Sequence, residues 1–337
     1  MTRKPTEIEY IFVIRLKTEK ESGEDKKQVV NIDSYRGHPS YSVLLKHKPV
    51  FQQKLPSCLP PIERGVHEIN VDTKEAIFLE VIPSTRKVIR DSVEEMLAAG
   101  LIRPSTSPHG APTFCVKKPV GWRIVHDYRA LNMHTIRRTL PMSRKDKIID
   151  KMQGAYWFSC MNVFSGYYQF RVRESDVPFT ALQAPDGAYE YLVLQWVSQP
   201  PPTFNAGVRR MLTDFSDICE SYVDDIYVYT KSQSIEKHLE ALDRVLTRLE
   251  EKHYFVKLSK CVFCVDAIPC LGDYVGRNGV CIDPAKVKIL RDWPLPRTRN
   301  ELQSFLGTAV YVRRFCNDFA SDTAPLFDVQ RKRKTET

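Results

Sequence analysis

The sequence has no long apolar run and no glycine-rich phosphate loop. The apolar stretch near its start, Ile8–Ile14, is too short to cross a bilayer and has no small-residue cleavage site after it. We therefore expect neither a membrane anchor nor a signal peptide, and we expect an intracellular protein of the cytoplasm or nucleus that is not secreted. Predicted strands and helices alternate without the glycine-rich loop that many nucleotide-binding folds use to hold phosphate.

Cysteine and charge content narrow the class of protein further. The nine cysteines are odd in number and spread along the chain, which predicts free thiols in a reducing compartment. Lysine and arginine number 50 against 41 acidic residues, a net charge of +9 that favours a polyanionic partner such as nucleic acid. With 337 residues and 42% hydrophobic content, the chain can bury a core divided among two or three subdomains.

Two adjacent carboxylates between β-prone stretches are the most informative local feature. The run Cys219–Tyr229 predicts a hairpin with Asp224 and Asp225 at its tip. Neighbouring carboxylates repel each other unless a cation or several donors neutralise them. Mg²⁺ prefers oxygen ligands and is often held by one or two carboxylates together with substrate phosphates, so the pair is suited to phosphoryl transfer. The alternative is that Asp-Asp is ordinary turn chemistry.

Other patterns supply the elements around this hairpin. Apolar spacing predicts helices over Val88–Leu97, with Ser84 as N-cap, and over Ile235–Leu249, with Ser234 as N-cap. β-prone runs predict a basic hairpin from Thr113–Lys118 and Trp122–Tyr128, and a buried strand over Phe158–Val163. The charged stretch Lys17–Lys27 predicts a weakly structured lead-in.

The order of these motifs resembles the reverse transcriptase domain of gypsy-type LTR retrotransposon polyproteins. The resemblance extends from about Leu59 to about Leu326, and its segments are jointly specific although each alone is weak. They are Ile102–Pro108, Val116–Lys118, Trp122–Arg123, Asp127–Asn132, Ser165–Tyr167, Tyr222–Asp225, Leu258–Cys261 and Ser304–Gly307.

The resemblance implies an α+β fold, the right-hand polymerase with fingers, palm and thumb. The palm would have a ferredoxin-like βαββαβ core, and the C-terminal region would be thumb-like. We predict a weakly structured lead-in over residues 1–50, fingers and palm over 51–275, a thumb-like or connection region over 276–328, and a basic tail over 329–337. RNase H and integrase, which accompany this domain in the family's polyproteins, are expected to come from other chains.

The resemblance also implies an RNA-directed DNA polymerase that copies an RNA or DNA template from a primer with deoxynucleoside triphosphates. Asp224 would be the principal ligand and Asp225 a supporting ligand of two Mg²⁺ ions, for which Mn²⁺ is a possible substitute. Nucleotide-binding residues would be Lys118 and Arg123, which grip the triphosphate, and Tyr167, which excludes a 2′-hydroxyl. Primer-binding residues would be Leu271, Gly272, Asp273 and Tyr274. For single residues the alternatives are solvated charge on a hairpin and a core tyrosine.

Two departures from the family pattern concern the same pocket. The family carries an aspartate where this sequence has Asn162, whose amide brings no negative charge to the metal ions. The segment Leu194–Asn205 lacks the family's glycine and contains three consecutive prolines. We therefore predict impaired polymerisation. The alternative function is a noncatalytic nucleic-acid-binding remnant of a decayed retroelement.

Overall fold

The computed structural model describes residues 31–52, 58–73, 75, 86–117, 121–136, 144–195 and 202–332. The strands are β1 Val66–His67, β2 Ile102–Pro104, β3 Thr113–Lys117, β4 Trp122–His126, β5 Trp157–Asn162, β6 Arg171–Val172, β7 Leu182–Ala184, β8 Gly187–Tyr191, β9 Cys219–Tyr222, β10 Asp225–Thr230, β11 Val262–Val265, β12 Ala267–Cys270, β13 Asp273–Gly276 and β14 Gly279–Ile282. The α-helices are α1 Tyr41–Lys46, α2 Arg86–Ala98, α3 Arg129–His134, α4 Lys145–Met152, α5 Pro202–Leu212, α6 Ile235–Glu251, α7 Pro284–Arg291, α8 Arg299–Ala309 and α9 Phe319–Lys332.

The central sheet has the strand order β11-β5-β10-β9, and every neighbouring pair is antiparallel. Along the chain its elements follow as β5, α5, β9, β10, α6 and β11. This order and connectivity are the ferredoxin-like βαββαβ core, so the sequence-based prediction of that core is confirmed. Strands β6, β7 and β8 lie in an insertion between β5 and α5.

The two faces of the central sheet contact different partners because successive side chains of a strand alternate. On one face, Phe158 of β5 and Tyr227 of β10 pack with Ile149 of α4 and with Val275 of β13. On the other face, α6 packs against β5 and β10. The residues that end β5 and begin β10 lie on the first face, together with the sheet formed by β12, β13 and β14.

A second core lies between helix α2 and the sheet formed by β2, β8 and β7. Ile89 and Val93 of α2 pack there with Leu182 and Tyr191. Strands β3 and β4 form a separate hairpin, as the sequence predicts. Ser84, the predicted N-cap of α2, lies outside the described residues. No helix in the described ranges is long and apolar enough to span a membrane.

Residues 31–50 differ from the predicted weakly structured lead-in. Leu44 and Val50 are buried, and His47 lies 2.9 Å from a carboxylate oxygen of Asp243 and 2.7 Å from one of Glu250, both on α6. The prediction is wrong for these residues because their apolar side chains find a surface on the outer side of α6, which composition alone does not reveal. Residues 1–30, including the charged stretch that motivated the prediction, lie outside the described part of the chain.

The predicted basic tail over residues 329–337 also needs correction at its start. Residues 329–332 continue helix α9, which ends at Lys332. The remaining five residues lie outside the described ranges. The helix continues here because neither proline nor glycine interrupts residues 326–332.

Helix α6 begins where the sequence predicts, because the Ser234 side chain accepts a hydrogen bond from the Lys237 amide. Its buried face carries one histidine, His238. The two ring nitrogens of His238 lie 2.8 Å from Ser159 Oγ and 3.0 Å from Thr230 Oγ1. Burial lowers the pKa of His238 from 6.5 to about 4, so the fold holds a neutral imidazole between two hydroxyl groups.

His238 therefore predicts a pH-dependent stability. The folded-state pKa lies below the unfolded value, so the unfolded chain takes up a proton first as the pH falls from 6.5 towards 4. We expect His238 to cost roughly 1 kcal/mol of unfolding free energy per pH unit in that window. Urea unfolding at pH 7 and pH 5 measures the slope. His238→Gln, which keeps hydrogen bonding but does not titrate, should flatten it, and an unchanged slope would contradict the assignment.

Candidate active site

The ends of two paired strands bring Asn162 and Asp225 together. Asn162 is the last residue of β5, Asp225 is the first residue of β10, and the antiparallel register places them directly opposite each other. The Asn162 amide donates a hydrogen bond to Asp225 Oδ1 at 2.9 Å. The hydroxyl of Tyr227 donates to the other carboxylate oxygen, Oδ2, at 3.3 Å. The position where the family carries an aspartate therefore adjoins the acidic turn.

The turn between β9 and β10 is unusually constrained. It consists of Val223 and Asp224, and Val223 has a φ of +52°. A β-branched residue rarely adopts this left-handed conformation, which costs of order 1–3 kcal/mol. The Asn205 side-chain oxygen of α5 accepts a hydrogen bond from the Val223 amide at 3.1 Å. Asn205 thus holds the turn in the conformation that displays Asp224.

Asp224 is the most perturbed carboxyl of this region. Its Oδ1 atom is buried and has no hydrogen-bond partner among the described residues. Burial and the charge of Asp225 together raise the pKa of Asp224 to about 6, against the opposing effect of Lys260. A buried carboxylate oxygen without a donor is costly unless a cation or a proton neutralises it.

Gly166 allows this carboxylate to occupy its position. A Cβ atom at residue 166 would lie 2.7 Å from Asp224 Oδ1 and 2.6 Å from Cζ of Phe204. Phe204 is fully buried, so it cannot easily move aside. In the sequence Gly166 is one residue of the motif Ser165–Tyr167, which gives it no role of its own. The sequence signal for this role is a glycine shortly after the predicted strand Phe158–Val163. Glycine near a strand often marks a position that another part of the chain or a ligand approaches closely.

The donor set fits a divalent metal ion only in part. Asp224 and Asp225 supply adjacent carboxylate oxygens, which a hard cation such as Mg²⁺ prefers. Asn162 supplies a neutral amide, and that amide directs an N–H group at Asp225. Within the described ranges no group of three or more His, Cys, Asp or Glu side chains could hold a metal ion. The residues present therefore fit such an ion through two carboxylates only, and the third position adds no negative charge.

This geometry predicts that Asn162→Asp destabilises the metal-free protein. The substitution removes the hydrogen bond to Asp225 and places a third carboxylate beside two others, so we expect a loss of about 1–3 kcal/mol. Thermal unfolding in a chelator measures the loss, and added Mg²⁺ should reverse most of it. Asn31→Asp, which adds the same charge at an exposed cap, is the control. Equal stability of Asn162→Asp and the wild type without metal would contradict the geometry.

Tyr167 lies beside this pocket. Its ring centroid is 5.1 Å from that of Phe204. Burial, together with the charge of Asp224, raises the pKa of the Tyr167 hydroxyl well above its usual range. The structure thus brings Tyr167 into the neighbourhood of Asp224.

The predicted primer-binding residues lie at the tip of a hairpin on the same face of the central sheet. Leu271 and Gly272 form the turn between β12 and β13, with φ values of +52° and +84°. Tyr274 is 37% exposed, whereas Asp273 is 4% exposed and pairs with Lys145 and Arg314. The Asp273 carboxylate is therefore occupied within the protein.

Of the two predicted triphosphate-binding residues, the structure describes Arg123. Arg123 lies on β4, opposite Val116 of β3, and is exposed. Lys118 lies outside the described part of the chain. Half of the proline-containing segment, residues 196–201, also lies outside it, and Pro202 begins α5.

Comparison with known proteins identifies the family. The sequence profile described as "Reverse transcriptase (RNA-dependent DNA polymerase)" matches residues 116–307, which is more than half of the chain. The chain belongs to the reverse transcriptase family. The matched range contains Asn162, Asp224, Asp225 and the hairpin of β12 and β13, so the cluster described above lies within the reverse transcriptase domain.

Several curated relatives of this reverse transcriptase domain are polyproteins. The chain is 32% identical over 275 residues to a retrovirus-related Pol polyprotein from the transposon opus of Drosophila melanogaster, which covers 78% of this chain and 27% of the relative. It is 30% identical over 267 residues to that from the Drosophila transposon gypsy, with 76% and 26% covered. It is 34% identical over 259 residues to an enzymatic polyprotein of Soybean chlorotic mottle virus, with 73% and 36% covered. The chain thus spans only about a quarter to a third of these relatives.

Solved structures establish the fold of the domain. The foamy viral protease–reverse transcriptase in complex with double-stranded DNA superposes with a TM-score of 0.77 at 22% identity, covering 89% of this chain and 63% of that one. The complex of the foamy viral enzyme with an RNA/DNA hybrid gives a TM-score of 0.74 at 22% identity, covering 90% and 41%. The predicted right-hand polymerase fold is therefore confirmed, and the central sheet with its flanking helices is its palm.

Proposed function

We propose that this chain is a template-directed DNA polymerase domain that adds deoxynucleotides to a primer on an RNA or DNA template. The observation that carries the proposal is the register of β5 and β10, which places Asn162 against Asp225 beside the buried carboxylate of Asp224. Nucleotidyl transfer requires a place for divalent cations beside a triphosphate, and the two adjacent carboxylates supply part of it.

Asp224 and Asp225 would hold the Mg²⁺ ions, with Mn²⁺ as a possible substitute. When bound, these cations neutralise the triphosphate and make the primer hydroxyl a better nucleophile. The protein's own side chains supply the remaining functions. Tyr167, packed on Phe204, presents a rigid ring that excludes a 2′-hydroxyl from the sugar position. Arg123 presents a planar fork of donors to phosphate oxygens.

Primer binding would use the hairpin of β12 and β13, with Leu271, Gly272 and Tyr274 facing the primer end. The hairpin and Asp225 lie on the same face of the palm sheet. The net charge of +9 would attract a polyanionic primer–template duplex. We infer an intracellular site of action, in the cytoplasm or nucleus, because all nine cysteines are free thiols.

Polymerisation by this chain should be weak. Asn162 brings no negative charge to the two cations and directs an N–H group at Asp225. Loss of one preorganised electrostatic group commonly costs about 10²- to 10³-fold in rate. A noncatalytic nucleic-acid binder is the second candidate, and the specific observation that favours it is this hydrogen bond, which satisfies Asp225 without a metal ion.

Primer extension separates the two candidates. The wild-type chain is incubated with primer–template, deoxynucleotides and Mg²⁺ or Mn²⁺, beside an Asp224→Ala, Asp225→Ala variant. Incorporation above that control supports the polymerase. No incorporation, combined with primer–template binding that weakens steeply with salt, supports the binder. Absence of both activities would reject both functions.

A further inference from the structure

Asp273 is a buried carboxylate in a position where a primer contact was expected. It is the first residue of β13, adjoins the Leu271–Gly272 turn, and is 4% exposed. One of its oxygens, Oδ2, lies 2.7 Å from Lys145 Nζ and 2.6 Å from Arg314 Nη2. A carboxylate that is occupied in this way, and that carries the charge of a phosphate, is poorly suited to bind a nucleic-acid backbone.

The two cations come from different parts of the molecule. Lys145 is the first residue of α4, which packs on the palm sheet. Arg314 belongs to the 3-10 helix Val310–Phe315, which follows α8 in the C-terminal region. Asp273 therefore joins three segments that are distant in sequence: α4, the hairpin and the C-terminal helices.

A second contact ties the same hairpin tip to the C-terminal region. The ammonium group of Lys286, in α7, donates a hydrogen bond to the backbone carbonyl of Gly272. The Lys286 nitrogen also lies 5.7 Å from the ring centroid of Tyr311, in the segment that carries Arg314. Lys286 and Arg314, on separate elements, thus contact the neighbouring residues Gly272 and Asp273 at the hairpin tip.

We propose that Asp273 is a positioning residue that fixes the C-terminal helices against the primer-binding hairpin, so that Leu271, Gly272 and Tyr274 present one defined surface to the primer end. The inference rests on the proposed function of the hairpin. Because the Asp273 carboxylate is buried, removing Lys145 or Arg314 leaves a buried charge without one of its partners, which is costly. The hairpin and the C-terminal helices then act as one unit.

The sign of the effect on binding makes the proposal testable. Asp273→Asn removes a negative charge, so simple electrostatics predicts tighter binding of a primer–template duplex. The positioning role predicts the opposite, a Kd raised by about fivefold or more, which corresponds to about 1 kcal/mol. Fluorescence anisotropy measures the Kd. A 2-aminopurine base at the primer terminus reports its stacking, and we expect its fluorescence to rise in the variant complex.

Arg313 offers a matched control for the C-terminal partner. Arg313 and Arg314 are neighbours, both exposed, but only Arg314 pairs with Asp273. Arg313→Met and Arg314→Met lose the same charge, so both should weaken binding through lost phosphate attraction. Only Arg314→Met should also change the 2-aminopurine signal. Urea unfolding shows whether Asp273→Asn folds. If it does not fold, the comparison of Arg313→Met with Arg314→Met tests the positioning role instead.

Hydrogen exchange without nucleic acid gives an independent readout. Arg314→Met should increase amide exchange in β12, β13 and α7 relative to Arg313→Met, because the link between them is broken. Wild-type protein that binds no primer–template would reject the proposed function. The positioning role alone would be overturned if the wild type binds primer–template and Asp273→Asn binds it equally or more tightly. In that case the 2-aminopurine signal and the amide exchange would also be unchanged in the variants.

Discussion

Asn162→Asp is expected to raise Mg²⁺-dependent primer extension by at least about 100-fold. The substituted carboxylate would end β5 directly opposite Asp225 and beside the buried oxygen of Asp224, which completes a three-carboxylate cluster. Single-nucleotide incorporation under saturating deoxynucleotide measures the rate constant for the wild type and the variant.

Two controls accompany this measurement. Asn162→Asp combined with Asp224→Ala should return to the background rate, because the added carboxylate acts only with its neighbours. Asn31→Asp adds an equal charge at an exposed N-cap and should not change the rate. A rate for Asn162→Asp within twofold of the wild type would show that the lost charge does not limit this chain.

Gly166→Ala is expected to abolish most of the activity gained by Asn162→Asp. The added methyl group would lie 2.7 Å from Asp224 Oδ1 and 2.6 Å from a buried ring carbon of Phe204, so one of the two must shift. Asp224 adjoins the constrained Val223 turn, and a displacement of about 1 Å at a reacting centre can cost 10²-fold in rate. We therefore expect a loss of about 100-fold.

Gly307→Ala is the matched control for this prediction. Gly307 lies within α8, and a Cβ there would have no atom within 4 Å. That substitution should leave the rate unchanged and raise stability by up to about 1 kcal/mol. Full activity of the Gly166→Ala variant in the Asn162→Asp background would contradict the close approach of Gly166 and Asp224.

The palm could be predicted from the sequence because its signals are local. Alternating β-prone residues define β5 and β10, and a capped amphipathic pattern defines α6. The motif order then identified the connectivity, which the sheet order confirms. The turn predicts Asp224 and Asp225, and the register of β5 and β10 pairs Asp225 with Asn162.

Other features depend on distant contacts that no local pattern encodes. The burial of Asp273 requires Lys145 and Arg314, which are more than 40 residues away in opposite directions along the chain. The ordered segment around Leu44 requires the outer side of α6. Such partners are revealed only when the chain is folded.

A Mn²⁺ titration tests most directly whether Asn162, Asp224 and Asp225 form one metal site that lacks a charge. The titration uses the primer–template complex with a non-hydrolysable deoxynucleotide analogue, and electron paramagnetic resonance follows free Mn²⁺. We expect Asn162→Asp to bind Mn²⁺ at least about tenfold more tightly than the wild type, and a further Asp224→Ala to remove the gain. Equal Mn²⁺ affinity of the wild type and Asn162→Asp would contradict this expectation.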